Sequence, residues 1–303
     1  MDILQEHLVR ARASGGVFAR SVAAAPWGLR LPGEIQLAVH AVIQGRAWIW
    51  CDDDTAPVEL GPGDLALVRG GADHFIAHEP GATVASHEDF AALHAGQADP
   101  GDPLTSIFLC GAYRFPGDIG RGLVDALPLV LPIRASADDP VHHVVALISR
   151  EMMNDGAGKQ TVLDRLLDVL VVYGLRAGLA QSPTPPAWVK AAADPRLSAA
   201  LHAIHSAPAT AWTVQELAGL GNMSRATFAR VFRGVVGQSP MNYLSDWRMT
   251  LARDFLELED VTLAEIADRI GFSSVYAFAA AFRRHHNEAP GRWRQRFATV
   301  TAP

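Results

Sequence analysis

The chain has 303 residues, 49% hydrophobic and 19% charged, with 26 Lys and Arg against 32 Asp and Glu for a formal net charge of −6. That length exceeds one typical domain and suggests two, each large enough for its own core, while the acidic balance excludes a general nucleic-acid packaging protein. Only 2 cysteines, no charged-then-apolar leader and no apolar run near the roughly eighteen residues of a membrane span lead to an expectation of a soluble protein in a reducing cytoplasm with no membrane partner.

The first predicted elements are short strands rich in Val, Ile and Trp and separated by Gly, Pro and Asp. They are LAVHAVIQG (37–45), RAWIWCDD (46–53), PVELGPGDLALVRGGADHFIAHEP (57–80) and TSIFLCGAYRF (105–115), a pattern of a β-sandwich or barrel. Trp48 and Trp50 alternate with Ile49, which puts both on one side of their sheet without saying which. The stretch GPGDLALVRGGADHF resembles the second segment of cupin barrels, in which a strand ending in Gly-Asp leads through a tight turn to an inward-pointing His, here His74. The first cupin segment normally brings two His and a Glu to a metal. VHAVIQG supplies only His40, so the usual four-ligand catalytic site is missing.

Two helices follow, VHHVVALISREMM (141–153) and TVLDRLLDVLVVYGLRAGLA (161–180). In the second, Leu163, Leu166, Leu167, Leu170 and Leu175 cover one broad stripe, while Val169, Val171, Val172 and Leu179 add apolar surface elsewhere. A subunit interface, and hence a homodimer, is one expectation. Burial between the barrel and the neighbouring helix is the other.

After Gln181 the chain turns to SPTPPAW, whose prolines favour an extended connector, so the expected division is a barrel-and-helix domain at 1–182, a linker at 183–188 and a second domain at 189–303. The charge divides in the same place. Residues 1–186 carry 13 Lys and Arg against 22 Asp and Glu, a net of −9, and residues 187–303 carry 13 against 10, a net of +3. Phosphate binding therefore belongs to the rear half, and it should weaken steeply with salt. DPRLSAALHAIHS (194–206) is the first predicted rear helix, with Asp194 as cap; its His202 and His205 have no Cys or carboxylate partner nearby in the sequence and are assigned no ligand role.

The rest of the rear half repeats itself. TVQELAGLGNMSRATFARVFRGVVGQSP (213–240) and TLAEIADRIGFSSVYAFAAAFRRHHNEAP (262–290) align at a separation of 49 residues for Thr213, Leu217 and Ala218, and of 50 for Phe228, Phe232 and Pro240. One extra residue thus sits in the second turn, near Gly271 to Ser274. Each copy opens on a Thr with a Glu three residues later, a capping box. Each second helix starts at a Ser, Ser224 or Ser274, and its Phe residues four apart face inward. The copies read as tandem helix-turn-helix units. Arg225, Ala226, Thr227, Arg230 and Arg233 lie outward on the first recognition helix, with Arg230 the leading base reader; Val275, Tyr276, Ala279, Ala280, Arg283 and Arg284 do so on the second.

Through MSRATFARVFRGVVGQSPMNYLSDWRM and IADRIGFSSVYAFAAAFRRHHNEAPGRWR, roughly the last hundred residues resemble the AraC/XylS family of bacterial transcription regulators. The resemblance implies that the recognition helices enter successive major grooves, with Ser274 at the head of the second. It also implies that a helix at 243–258 joins the units and that Arg248 lies near a backbone phosphate. Ala279 and Ala280 stand where polar or basic residues are frequent, and Asn287 where a helix-ending Gly is common. The front half is similar to cupin-like ligand domains attached to some AraC-type regulators, in which a strand His, the His after Gly-Asp and a later Leu-Cys-Gly recur. Here these are His40, His74 and Cys110. That pattern points to a metal site; two imidazoles and a thiolate suit Zn²⁺, with His78 or His87 as a fourth ligand. The alternative is hydrogen-bonded barrel histidines and a buried cysteine.

The resulting expectation is two-domain, an N-terminal cupin-like β-barrel with a helical dimerisation segment and a C-terminal all-α tandem helix-turn-helix domain. Its function is that of a transcription regulator, a non-enzyme, that binds promoter DNA and a small-molecule effector, with contact to RNA polymerase as an activator would make. A metal-dependent cupin enzyme fused to a DNA-binding domain is the competing reading, and an effector-independent regulator a third.

Overall fold

A computed structural model describes residues 4, 7–8, 14–52, 56–94, 99–115, 117–181 and 185–298. Asp53 and residues 183 and 184 of the expected linker lie outside the described residues. The chain forms two compact units, one of residues 13–115 and 124–183, the other of residues 1–12, 116–123 and 184–303. Two short pieces of the front half therefore belong to the helical unit. They were not separable by composition, because each is too short to carry a charge or periodicity signal of its own.

Among the described residues the barrel unit holds nine strands: β1 (Ser14–Ala23), β2 (Gly28–Leu31), β3 (Leu37–Gln44), β4 (Ala47–Cys51), β5 (Val58–Leu60), β6 (Leu65–Arg69), β7 (His74–Ala77), β8 (Ser106–Arg114) and β9 (Val130–Ile133). They form a five-stranded sheet ordered β1-β8-β3-β6-β9 and a four-stranded sheet ordered β2-β7-β4-β5. All named pairings are antiparallel. The strands predicted from sequence are all present; β1, β2 and β9 were not foreseen.

Leu29, Ala38, Val42, Ile49, Val68, Ile76 and Phe108 fill the core cluster. Trp27 stacks flat on Phe108 with ring centroids 4.7 Å apart. On β4, Ile49 faces this core and is fully buried, which turns Trp48 and Trp50 outward, where Trp50 stacks on Phe75 at 5.5 Å.

α1 (His87–His94) and α2 (Gly117–Asp125) are additions to the predicted set; α3 (Pro140–Met153) and α4 (Lys159–Gln181) match it. Asp139 caps α3, accepting from the Val141 N–H, with Pro140 at the first turn. The face of α4 bearing Leu163, Leu167, Leu170, Val171 and Leu175 is buried. A Cβ on Gly174 would lie 2.4 Å from Leu67 Cδ1, and one on Gly178 2.5 Å from Leu131 Cδ2, so small residues let α4 lie directly on β6 and β9. The sheet containing β3 and β8 has helices on its outer face, α3 against β3 and α4 hydrogen-bonded to β8 through Tyr113 and Asp168, which fits the nearly continuous apolar runs of β3 and β8. Packing on the barrel accounts for most of the apolar surface of α4. A narrow stripe remains: Val162 is 42% exposed and Val169 39%, with Leu166 and Tyr173 half-buried between and beyond them.

The helical unit continues with α5 (Ala187–Ala193), α6 (Ser198–Ser206), α7 (Val214–Leu220), α8 (Arg225–Val236), α9 (Pro240–Leu258), α10 (Leu263–Arg269), α11 (Val275–His286) and α12 (Pro290–Ala298). The regular helix begins at Ser198, but the cap expected at Asp194 is in place: its carboxylate accepts the Arg196 N–H at 2.9 Å, and its carbonyl accepts the Leu197 and Ser198 N–H groups in the turn that leads into α6. The joining helix, expected from Tyr243, starts at Pro240, where Ser239 accepts from the Asn242 N–H. His205 is fully buried, stacked on Trp247 at 4.2 Å and 2.8 Å from the Tyr243 hydroxyl, so it packs within the unit.

Candidate nucleic-acid interface

Both helix-turn-helix units are built by the caps their sequences advertise. Thr213 accepts from the Glu216 N–H at 3.2 Å while Glu216 accepts from the Thr213 N–H at 2.8 Å; Thr262 and Glu265 repeat this at 3.2 and 2.7 Å. These hydrogen bonds hold both carboxylates below the usual glutamate range. Ser224 and Ser274 cap α8 and α11.

The turns share one geometry. Asn222 at φ 52° and Gly271 at φ 80° occupy the same left-handed position, and Met223 donates to Ala218 O at 3.0 Å as Phe272 does to Ala267 O at 2.8 Å. Register 49 thus runs through Phe272, and the extra residue of the second turn is Ser273. Phe228, Phe232, Phe278 and Phe282 are fully buried. Gly237 and Asn287 close α8 and α11 in the left-handed conformation, at φ 86° and 58°, so the Asn replaces Gly without altering the stop.

The arginines of this unit fall into two groups. Arg269 pairs with Glu259 at 2.7 Å, Arg296 with Glu288 at 3.0 Å, and Arg253 with Asp118. Arg225, Arg230 and Arg233 on α8, and Arg283 and Arg284 on α11, are exposed and have no carboxylate or hydrogen-bond partner among the described residues. Unpaired guanidiniums on a recognition face are free to meet phosphates and guanine edges. On α8 they accompany exposed Ser224 and Ala226 and half-buried Thr227. On α11 the exposed groups ahead of Arg283 are Ser274, Tyr276 at 90% exposure, Ala277 and Ala280, with Val275 and Ala279 half-buried.

Arg248, expected beside a phosphate, also makes contacts within the unit. Nε donates to Pro208 O at 2.8 Å and Nη2 to Thr210 O at 3.0 Å, and the guanidinium lies 6.0 Å from the Phe272 ring centre. It ties α9 to the loop before α7 and to the second turn. Nothing in its sequence surroundings signals this, because its partners are backbone carbonyls 38 and 40 residues away.

The barrel brings its three predicted donors together. His40 and Cys110 are cross-strand partners on β3 and β8, and His74 reaches them from the opposite sheet. His40 Nδ1 is 3.1 Å from Cys110 Sγ, and His40 Nε2 is 2.9 Å from His74 Nε2. Burial, with His74 adding to it, holds His40 well below its ordinary pKa. Burial also pulls His74 down to about 4 and pushes the Cys110 thiol up to about 12. The three are therefore neutral near pH 7 and linked in series: either the thiol donates to His40 and His40 to His74, or both bonds run in reverse. Among the described residues no set of three or more His, Cys, Asp or Glu side chains is arranged to hold a metal. The donor types suit zinc, but the middle imidazole faces its two neighbours with different nitrogens, so convergence on one ion requires His40 to release one hydrogen bond. His78 is engaged elsewhere, its Nδ1 2.7 Å from Trp27 O, and His87 is exposed at the start of α1. Neither joins the trio.

His78 instead lines a cleft of about 540 Å³ with Trp27, Glu79, Val84, Ala85 and Leu93, which the sequence did not reveal because β2 was not foreseen. Among the described residues no helix is long and apolar enough to cross a membrane.

Residues 2–180 match the family described as Cupin, and residues 217–296 the family described as Helix-turn-helix domain. The chain is 30% identical over 305 residues to a Streptomyces antibioticus protein named as an AraC-like transcription regulator, covering 97% of this chain and 99% of the relative. It is 28% identical over 280 residues to the HTH-type transcriptional regulator AlkR of Acinetobacter baylyi, covering 89% and 91%. Among solved structures, the DNA-binding domain of AdpA in complex with a target DNA is 31% identical and covers 36% of this chain and 97% of that one, with a TM-score of 0.34. With a cupin barrel ahead of two capped helix-turn-helix units, the chain belongs to the AraC-like transcription regulators.

Proposed function

We propose that this DNA-binding transcription regulator reads a two-part promoter site with α8 and α11 under the control of a small molecule bound by the barrel unit. The observation that carries the reading is the set of five exposed, unpaired arginines on the two recognition helices, in a unit whose other arginines include several held by internal ion pairs. α8 makes most of the base contacts. α11, with Tyr276 and two alanines, contributes apolar contact with thymine methyls and phosphate contacts from Arg283 and Arg284. Arg230→Ala is expected to weaken binding to the specific site by about 1–3 kcal/mol and to relax preference at one base pair. Equal loss on all sequences, measured by quantitative gel shift, would reassign Arg230 to a phosphate.

The effector reading is supported by the cleft at Trp27 and His78, whose 540 Å³ falls within the usual range for small-ligand sites. An effector that binds one state better shifts DNA affinity by the same coupling energy, typically about 1–3 kcal/mol. A melting-temperature screen of small molecules tests this; no compound shifting the barrel transition would favour an effector-independent regulator.

A second reading is favoured by the buried His40, His74 and Cys110 trio, which would hold Zn²⁺ once the His40 ring turns to present one nitrogen. Elemental analysis of purified protein is expected to give about one zinc per chain, lost with thermal stability on chelation. Zinc-free protein whose melting is unaffected by chelator would leave the trio as a neutral hydrogen-bonded chain.

The protein would act in the cytoplasm as a homodimer, with RNA polymerase as its further partner. The stripe of Val162, Leu166, Val169 and Tyr173 follows helical spacing along α4 and offers the apolar face for a second copy. Val169→Asp is expected to give a monomer in sedimentation equilibrium. A dimer persisting in that variant would place the interface elsewhere.

A further inference from the structure

α2 lies in the sequence between β8 and β9 of the barrel, yet residues 116–123 are part of the helical unit while Phe115 and Val124 on either side belong to the barrel. Its attachment is specific. The Asp254 carboxylate of α9 accepts the Asp118 N–H at 2.6 Å and the Ile119 N–H at 3.4 Å, capping α2 from 136 and 135 residues away. Gly117 makes this approach possible, since at φ +77° a Cβ there would lie 2.7 Å from Asp254 Oδ1. Asp118 pairs with both Arg121 and Arg253, and Arg121 Nη2 reaches Glu257 at 3.3 Å. Two of these partners also hold α12: Glu257 accepts from Trp293 Nε1 at 3.2 Å, and the Arg253 guanidinium sits 4.5 Å over the Trp293 ring. The helix joining the two recognition units and the last helix of the second unit are thereby gathered by a segment of the front half.

We propose that α2 is a clasp, and that its closure on Asp254, Arg253 and Glu257 presets the second helix-turn-helix unit for DNA, so that drawing α2 away from α9 weakens the second half-site. The clasp deepens the regulator reading above and rests on it. The contacts that fix its position on α9 are polar and partly desolvated, and Ile119 and Leu123 of α2 are buried as well. Closure lowers the entropic cost of binding by fixing the recognition helices beforehand.

The seam is also sensitive to pH. Burial raises the Asp254 pKa to about 7, with the neighbouring Asp118 and Glu257 charges adding to the rise against the two backbone hydrogen bonds. Asp118, Arg121, Arg253, Glu257 and His286 make up the charged and titratable surroundings, and burial keeps His286 neutral above about pH 4. Asp254 therefore titrates near neutral pH. Its folded-state pKa is raised, so the stability it gives the clasp is complete below the ordinary carboxylate range and lost as pH rises through about 7. About a tenfold loss of clasp closure between pH 6 and 8 follows from the linkage.

The test uses the full chain. Amide exchange of residues 117–123, corrected for intrinsic rates, is measured at pH 6 and 8, alongside affinity for a selected DNA site and for the same site with its second half scrambled. In the wild type, protection should fall about tenfold from pH 6 to 8. In Asp254→Asn this pH dependence should vanish. Asp118→Asn, with Arg121→Gln as the milder alternative, should lose protection and reduce discrimination against the scrambled half-site at least fivefold, while affinity for the first half alone stays within twofold. Unchanged protection in both variants, or lost protection with unchanged discrimination, would overturn the proposal. A wild type that binds no specific site would instead overturn the reading on which the clasp rests, and the exchange data would still report on closure.

Discussion

Phe232→Ala is expected to destabilise the helical unit by about 3–5 kcal/mol and to abolish specific DNA binding at growth temperature. Phe232 is fully buried, its ring 5.6 Å from Phe228 and 5.7 Å from Tyr243 on α9. Truncation removes a side chain that joins the recognition helix to the joining helix, and neighbours held by caps at both ends of α8 have little freedom to collapse into the void. Denaturant unfolding of the full chain, followed alongside DNA binding, measures the loss. A cost below about 1 kcal/mol would contradict the packing described here.

The second large effect is expected at Gly271. Gly271→Asn should cost at least about 2 kcal/mol and weaken the second half-site, whereas Asn222→Gly, at the equivalent place in the first turn, should be neutral or mildly stabilising. Both positions are left-handed, and Asn tolerates that conformation in the first turn. The difference is space: a Cβ on Gly271 would lie 2.3 Å from the Ala209 carbonyl oxygen, which is backbone and can move only with its loop. That loop is held by Arg248 through Pro208 O and Thr210 O, so the strain would pass to α9 and to the turn that sets α11. Equal tolerance at both sites, judged by melting temperature, would mean that the loop yields freely.

What the sequence revealed and what it hid follow one physical division. The caps of α7, α8, α10 and α11 are local, each a Thr or Ser accepting a backbone N–H three residues on, and the inward Phe pairs are four apart, so both were legible. α2 was not, because its cap is Asp254, far away in the chain, and its own sequence GDIGRGLVD holds three glycines that argue against a helix. His40, His74 and Cys110 could be named from strand positions and resemblance, and the structure does bring them together. Their arrangement in series depended on ring orientations that no spacing encodes. The roles of Arg248 and of the cleft at Trp27 were hidden for the same reason, since each is defined by partners distant in sequence.

The same contrast separates the two recognition helices. α8 carries arginines at three outward positions, and α11 reserves its charge for its last turn. A site read by this protein should therefore have one strongly specified half and one weaker half dominated by A·T pairs, where Tyr276 and Ala280 meet thymine methyls.

Selection from a random DNA pool with the full-length protein, at two salt concentrations, addresses the assignment of α8 and α11 as a pair of readers most directly. Enrichment of one motif with two parts about a helical turn apart, the stronger part losing information in Arg230→Ala, is the expected result. Binding that falls steeply with salt yet enriches no motif, or enrichment of a single undivided half-site, would contradict it.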